Sequence, residues 1–462
     1  MSAKYPTFAD PAQTPLLSSH LAQHLQLFLA PLTRQLTSKL DVRLVRTFFA
    51  LIIAIISFRE RHHALLLSQL GAFLVPPHQA PAGAKRLHNL IHSPAWSASL
   101  IQNFFWRQAA HFIRQLKASN QLALVIWDDS VIEKNESRQL EGLCSVRSTK
   151  AARLKKVKKG FYSPPPGPPI FVPGMQWSAL IVSGLAATTT PWLGAMHWWS
   201  TRGENSTDRR TQQQLLLEKS IKKWGKGSQL VHVFDQGYVG KPWLGLLLAK
   251  RVNFVLRWRK DYNLVNKQGR ELKCWKIAQG KRSWDQREVW DSRRRCWRKA
   301  GIVAFEVNHP QYATPLWLVV ARLGQGITPW YLLTNRPVKQ VEAAWEVMKI
   351  YSRRWQIEEA YRYTKSELGF ESPRLQAWED RLKLLMLASL AFAYLLSLLK
   401  EDEGLQQLRE RGWCHRTGKR LREEVQPLYR LRWALSRLWQ AHPPPSLSSL
   451  LSLKTVQVQF SG

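Results

Sequence analysis

Three acidic residues stand where acids can do chemistry. Asp129 and Asp235 each follow a short apolar run, Leu122-Ala-Leu-Val-Ile-Trp127 and Leu230-Val-His-Val-Phe234, and Glu358 lies in a long helical pattern. Short apolar runs bounded by polar residues read as buried strands. Strand ends that share one edge of a sheet bring distant acids together, and open α/β sheets bind ligands at such carboxyl ends. Two Asp and one Glu offer only oxygen donors, which suit Mg2+ or Mn2+ and not Zn2+. Two such ions ~3.5–4 Å apart can activate a water and stabilise the leaving oxygen of a phosphodiester. Taken singly, an Asp after a strand more often forms a turn or caps a helix. Asp128 and Asp129 also compete, because successive strand residues point to opposite faces and only one can join the site.

The surroundings of Glu358 add weight. Tyr351, Arg354, Glu358 and Lys365 recur at helical spacing; at about 100° per residue they share a stripe roughly 60° wide and about 21 Å long. An acid flanked by two cations and a phenol suits a metal ligand set among phosphates. A solvated Arg354–Glu358 pair at i,i+4, worth only ~0.3–0.5 kcal/mol when exposed, would explain the charges but leave Tyr351 without a role.

The stripe, Tyr351-Ser-Arg-Arg354-Trp-Gln-Ile-Glu358-Glu-Ala-Tyr-Arg-Tyr-Thr-Lys365, resembles the Y-x2-R-x3-E-x6-K signature helix of the insertion sequence 4 family of bacterial DDE transposases. Trp330-Tyr-Leu-Leu-Thr-Asn-Arg-Pro337 is similar to the strand and turn leading into that helix. Asp129-Ser130 with Val131-Ile-Glu-Lys134 resembles the motif of the first aspartate, and Asp235-Gln-Gly-Tyr238 that of the second. The resemblance spans roughly residues 120–400. It implies an RNase H-like core interrupted by a β-rich insertion between the second aspartate and the glutamate. It also implies two metal ions, Mg2+ or Mn2+, held by Asp129, Asp235 and Glu358. Water would cut at the transposon end, and the freed 3′-hydroxyl would then attack target DNA. Tyr351, Arg354 and Lys365 would contact phosphates of the end, and a homodimer would act on paired inverted repeats. The family's Asp-before-Thr/Ser pattern selects Asp129 over Asp128. A bacterial enzyme of the cytoplasm, working at the nucleoid, is the implied setting.

Composition agrees with a nucleic-acid partner. The chain has 462 residues and a formal charge of +36, an excess that governs association and most often meets a polyanion. An acidic cluster inside so basic a protein needs a counter-ion. The apolar fraction is 45% and Trp numbers 22, enough for a large core and too much for a disordered chain. The four cysteines show no paired spacing, which excludes a disulfide scaffold. The longest apolar runs, residues 48–57 and 384–399, fall short of the roughly 20 residues of a spanning helix, so no membrane is expected.

The elements that position the acids follow. Residues 1–120 read as a helical region that could hold DNA. Residues 121–260 alternate strands (122–127, 176–183, 191–198, 230–234, 252–258) with helices and give the first part of the core; residues 261–328 form the β-rich insertion. Residues 329–400 complete the core, with one long helix over 339–368, and residues 401–462 make a basic helical tail. The fold class is therefore α/β, a mixed-sheet core with flanking helices. Lys155, Lys156, Lys158 and Lys159 crowd a Pro-rich loop, where a phosphate backbone would relieve their repulsion; a solvated loop is the alternative. Trp297, beside Arg293-Arg-Arg295, is the best candidate to stack on a DNA base. A nuclease of the same fold that cuts without joining, and a DNA-binding protein without catalysis, are the rival readings.

Overall fold

Ala123, Leu124, Val125, Ile126 and Trp127 are all fully buried, as a strand covered on both faces requires. The computed structural model describes residues 13–58, 64–137, 139–150, 168–186, 189–204, 206–291, 296–324, 327–399 and 428–444. In it this strand, β1 (Ala123–Glu133), runs on through Asp128 and Asp129. The acids therefore lie inside the strand and not just past it, because β1 pairs along its whole length with a longer neighbour. That neighbour, β3 (Phe171–Gly184), runs antiparallel, Asp128 opposite Ala179 and Asp129 opposite Ser178. Along its other edge β3 carries β2 (Cys144–Arg147) and β4 (Trp192–Trp199). On the opposite side β1 pairs in parallel with β5 (Leu230–Phe234), which pairs in parallel with β6 (Asn253–Arg257). The order β4-β3-β1-β5-β6 thus joins an antiparallel half to a parallel half.

The sheet does not stop there. Antiparallel β12 (Trp330–Thr334) pairs with β6, β11 (Tyr312–Arg322) with β12, and β10 (Cys296–His309) with β11. β7 (Asn263–Asn266), β8 (Glu271–Lys273) and β9 (Asp285–Asp291) finish a 12-stranded sheet. The β-rich stretch expected as an insertion is there, and its strands extend the core sheet.

Side-chain parity divides the core. Leu124, Ile126, Val231 and Val233 face one side and join Ile350, Ile357 and Tyr361. Val125, Trp127, Leu230 and Phe234 face the other and join Leu216, Leu217, Trp243 and Leu244. The first side is covered by α9 (Val341–Ser352), α10 (Trp355–Ser366) and α11 (Trp378–Ser397), the second by α6 (Arg209–Trp224) and α7 (Lys241–Ala249). Asp208 starts α6 by accepting from the amides of Arg210 and Thr211, a cap worth ~1 kcal/mol. The N-terminal helices α1 (Gln13–Thr37), α2 (Val42–Phe58), α3 (Leu67–Ala72), α4 (Ala80–Ile91) and α5 (Ala98–Ala118) pack on α11 and on the C-terminal helix Leu428–Ala441. Buried Lys383 of α11 donates to the carbonyls of Ile91 and Ser93, each at 2.9 Å, and ties this bundle to the sheet. Among the described residues no helix is long and apolar enough to cross a membrane.

Candidate active site

Two acids meet because two strands are parallel. Ala123 lies beside Leu230 and Ile126 beside Val233, so two residues further on Asp128 comes level with Asp235. Asp128 shares the parity of Leu124 and Ile126, and Asp235 that of Val231 and Val233, so both turn toward the side that α9 and α10 cover. A buried bond between Trp127 Nε1 and His232 Nδ1, 3.0 Å, locks the two strands just before the acids. Burial pushes His232 down to about 3, so its ring is neutral and accepts at Nδ1. The Asp128 carboxyl is pushed up to about 7 by burial, with repulsion from Asp129 and Asp235 adding to it and the Arg354 guanidinium opposing it.

From the helical side, Tyr351 ends α9 and Arg354 precedes α10. The expected single helix over residues 339–368 is two helices. Between them the amides of Arg353, Arg354, Gln356 and Ile357 bond carbonyls three residues back, a tight 3₁₀ geometry that turns more per residue than an α-helix. Side chains hold this joint: Arg353 donates to the Leu185 carbonyl at 3.0 Å, and the Tyr351 hydroxyl donates to Asp235 Oδ1 at 2.9 Å. Tyr351 is buried against Trp330; burial and the Asp235 charge hold its phenol well above the usual range. The resemblance implied Tyr351 as a phosphate contact; here its hydroxyl is turned to Asp235.

Arg354 is the centre of the cluster. Its Nη2 donates to Glu358 Oε1, and its Nε lies 3.9 Å from Asp235 Oδ1. Burial works against its charge, but Tyr351, Asp235 and Glu358 hold it more firmly protonated than an ordinary arginine. The Nε itself is buried without a hydrogen-bond partner among the described residues. One turn beyond Glu358, the Tyr361 hydroxyl donates to the Asp128 carbonyl at 2.5 Å and accepts from the Ala179 amide at 3.1 Å. It clamps α10 onto β1 and β3. Lys365 follows two turns after Glu358 on the same face of α10, half-buried in the last turn.

Asp129, the first aspartate chosen from sequence, faces the other way. Its Oδ1 accepts from Ser178 Oγ at 2.6 Å and its Oδ2 from Arg209 Nε at 2.8 Å and Gln213 Nε2 at 2.7 Å. Arg209 also lies over the Tyr238 ring at 5.6 Å. The reason is the period of two along a strand: Asp129 has the parity of Val125 and Trp127 and therefore turns toward α6. The structure thus gathers Asp128, Asp235, Arg354 and Glu358 and leaves Asp129 in a separate, saturated network.

The donor set suits a hard divalent cation. It is all oxygen, and the raised Asp128 carboxyl marks a negative charge that Arg354 compensates only in part. As placed, no three His, Cys, Asp or Glu side chains among the described residues converge on a common ligation point; Arg354 spans Asp235 and Glu358. Lys155, Lys156, Lys158 and Lys159 lie outside the described residues, as do Arg293, Arg294 and Arg295. Trp297 pairs across β9 and β10 with Trp290, ring centroids 5.7 Å apart, and both are exposed. The base of that hairpin is tied to α9, Trp345 Nε1 donating to Asp285 at 2.9 Å and Arg287 pairing with Glu342. Sequence reasoning missed Arg209, Gln213 and Tyr361. Only Tyr361 carried a signal, since it lies three residues past Glu358 on the same helix.

The model of the transposase DDE domain family matches residues 187–396, a stretch holding Asp235, Glu358 and the helices around them. Among solved structures, the chain is similar to the piggyBac transposase in a synaptic complex with hairpin DNA, at 12% identity and a TM-score of 0.41, covering 99% of this chain and 86% of that one.

Proposed function

We infer that this chain is a DDE transposase, an enzyme that cuts DNA and transfers strands, on the strength of the family match over residues 187–396, and that Asp128, Asp235 and Glu358 are its three acids. The observation that carries this is the level placement of Asp128 and Asp235 on adjacent parallel strands, with Arg354 linking Asp235 to Glu358. The strand order β4-β3-β1-β5-β6, antiparallel then parallel, supports an RNase H-like core. The Tyr351, Arg354, Glu358 and Lys365 spacing supports an enzyme of the insertion sequence 4 type.

The three carboxylates would hold Mg2+ or Mn2+, two ions in all. Such ions, when bound, supply Lewis acidity at the phosphate and a water made acidic enough to attack it. Everything else is the work of side chains. Tyr351 fixes the Asp235 carboxylate, and Tyr361 fixes the backbone of Asp128. Arg354, whose Nε lacks an acceptor among the described residues, turns from its carboxylate partners to a phosphate oxygen at the transposon end, a charge-assisted contact. Lys365, about 10 Å further along the same helix face, meets a neighbouring phosphate. The first reaction hydrolyses the phosphodiester and frees a 3′-hydroxyl; the second makes that hydroxyl the nucleophile on target DNA. A homodimer holding two inverted repeats is the assembly in which both ends are joined. Trp297 on its exposed hairpin, with Trp290, offers a platform for an unstacked base, worth ~1–3 kcal/mol.

The test is a supercoiled plasmid carrying the element's inverted repeats, incubated with protein and Mg2+. Joined products are expected, and Glu358→Gln should bind the ends without cutting them. Cut ends that are never joined would remove the transfer step. Binding without cleavage by the native chain would remove the acids' role altogether.

A further inference from the structure

Arg209 and Arg354, beside the acids, are answered by carboxylates, but the cations of one surface away from them are not. The second half of α5 and the end of α6 converge on the α6 side of the sheet. Trp106 and Trp224 pack with ring centroids 4.5 Å apart and planes tilted by 38°, Trp224 Nε1 donates to the Trp106 carbonyl at 3.2 Å, and Gln229 Nε2 donates to Asn120 Oδ1 at 2.7 Å. Around this joint lie Arg107, Arg114 and Lys117 from α5 and Lys222, Lys223 and Lys226 from the end of α6 and the turn after it. All but half-buried Lys117 are exposed. Among the described residues none of the six has an ion-pair partner, and Glu218, the one acid on α6, is engaged by Lys250 at 2.8 Å. Lys219, with its ammonium over the Trp106 ring at 5.3 Å, is held below its ordinary pKa by burial and by Lys223. The cations thus already repel one another and would gain from a polyanion.

This surface is distant from the chemistry. Arg209 at the start of α6 touches Asp129, and Lys222 lies about 20 Å further along the same helix. A DNA strand seated at Asp128 and Asp235 is on the opposite side of the sheet. We propose that the joint of α5 and α6 is a second docking surface, which takes the phosphate backbone of a separate double-stranded DNA segment while the acids hold the strand being cut. The occupant follows from charge: unpaired cations on two neighbouring helices match the regular phosphates of a duplex. An anionic bilayer fits less well, since of the large apolar side chains exposed among the described residues only Leu215 lies on these helices. The proposal extends the transposase reading, which supplies the need for a second duplex, yet it can be measured without it.

The experiment uses the full chain with Lys222→Ala, Lys223→Ala and Lys226→Ala combined, and a control carrying Arg at the same three positions. Binding of a short duplex of unrelated sequence is followed as salt is raised. The slope of log affinity against log salt should fall by roughly 2–3 in the Ala variant, about 0.9 for each phosphate no longer neutralised, and return in the Arg control. Cleavage of a substrate bearing the transposon end should be unchanged, and transfer into a second duplex should drop. An unchanged slope overturns the proposal. So does a parallel fall in end cleavage, which would make the patch part of the end grip, or binding of phosphatidylserine vesicles in place of duplex. If the native chain never cuts DNA but the slope still falls, the surface stands and the catalytic reading fails.

Discussion

Asp128 and Asp129 are neighbours in sequence and opposites in circumstance. Asp128 is half-buried with one backbone amide for its carboxylate, that of Asp129 at 2.9 Å, and its proton affinity is raised. Asp129 receives three side-chain donors. A carboxylate so well supplied with donors contributes to folding and has little capacity left for a ligand. One that is poorly satisfied costs stability and is available for chemistry, as is usual where function and stability compete. The two faces of one strand have divided the two tasks.

The sharpest way to break this comparison is to neutralise each acid in turn. Asp128→Asn should lower cleavage on the order of 10³-fold, because several kcal/mol of transition-state stabilisation go with the ligand. In metal-free buffer the same change should raise stability by ~1 kcal/mol, since it removes a poorly compensated, half-buried charge. Asp129→Asn should do the reverse, retaining cleavage within about tenfold and losing ~1–3 kcal/mol in denaturant unfolding as charged hydrogen bonds weaken. If both variants lose activity alike and stability alike, the division of labour is wrong.

Smaller effects sharpen the picture. Tyr351→Phe leaves the ring packing and removes the bond to Asp235, so the rate should fall roughly tenfold, in keeping with ~1.5 kcal/mol for a hydrogen bond to a charged group. A loss limited to DNA affinity, with the cleavage rate at saturation intact, would instead return Tyr351 to the phosphates. His232 sets a pH dependence of folding. Its folded pKa, about 3, lies below the ordinary 6.5, so the unfolded chain binds the extra proton between these values. Its contribution is whole above about pH 6.5 and is lost as pH falls toward 3. Urea unfolding across that window should show the decline, and His232→Phe should flatten it.

Much of this was legible in the sequence. The strands at 122–127 and 230–234 and the Arg354–Glu358 pair followed from apolar runs and helical spacing. What failed depends on which segments become neighbours. Choosing between Asp128 and Asp129 needs the register of β1 against β5, a pairing of residues about a hundred apart that neither segment encodes alone. The joint at Arg353 and Arg354 was invisible because neither residue disfavours a helix; the contacts that tighten it, to Leu185 and Asp235, are distant in the chain. The β-rich stretch reads as strands, but nothing local tells that they extend the core sheet through β12.

The central claim is that Asp128, and not Asp129, meets the metal beside Asp235. The most direct measurement is cleavage by Asp128→Cys and Asp129→Cys in Mg2+ and in Mn2+, since a thiolate is a poor ligand for Mg2+ and a better one for the softer ion. Asp128→Cys is expected to be inactive in Mg2+ and partly restored in Mn2+, while Asp129→Cys keeps much the same activity in both. Restoration by Mn2+ confined to Asp129→Cys would contradict the account.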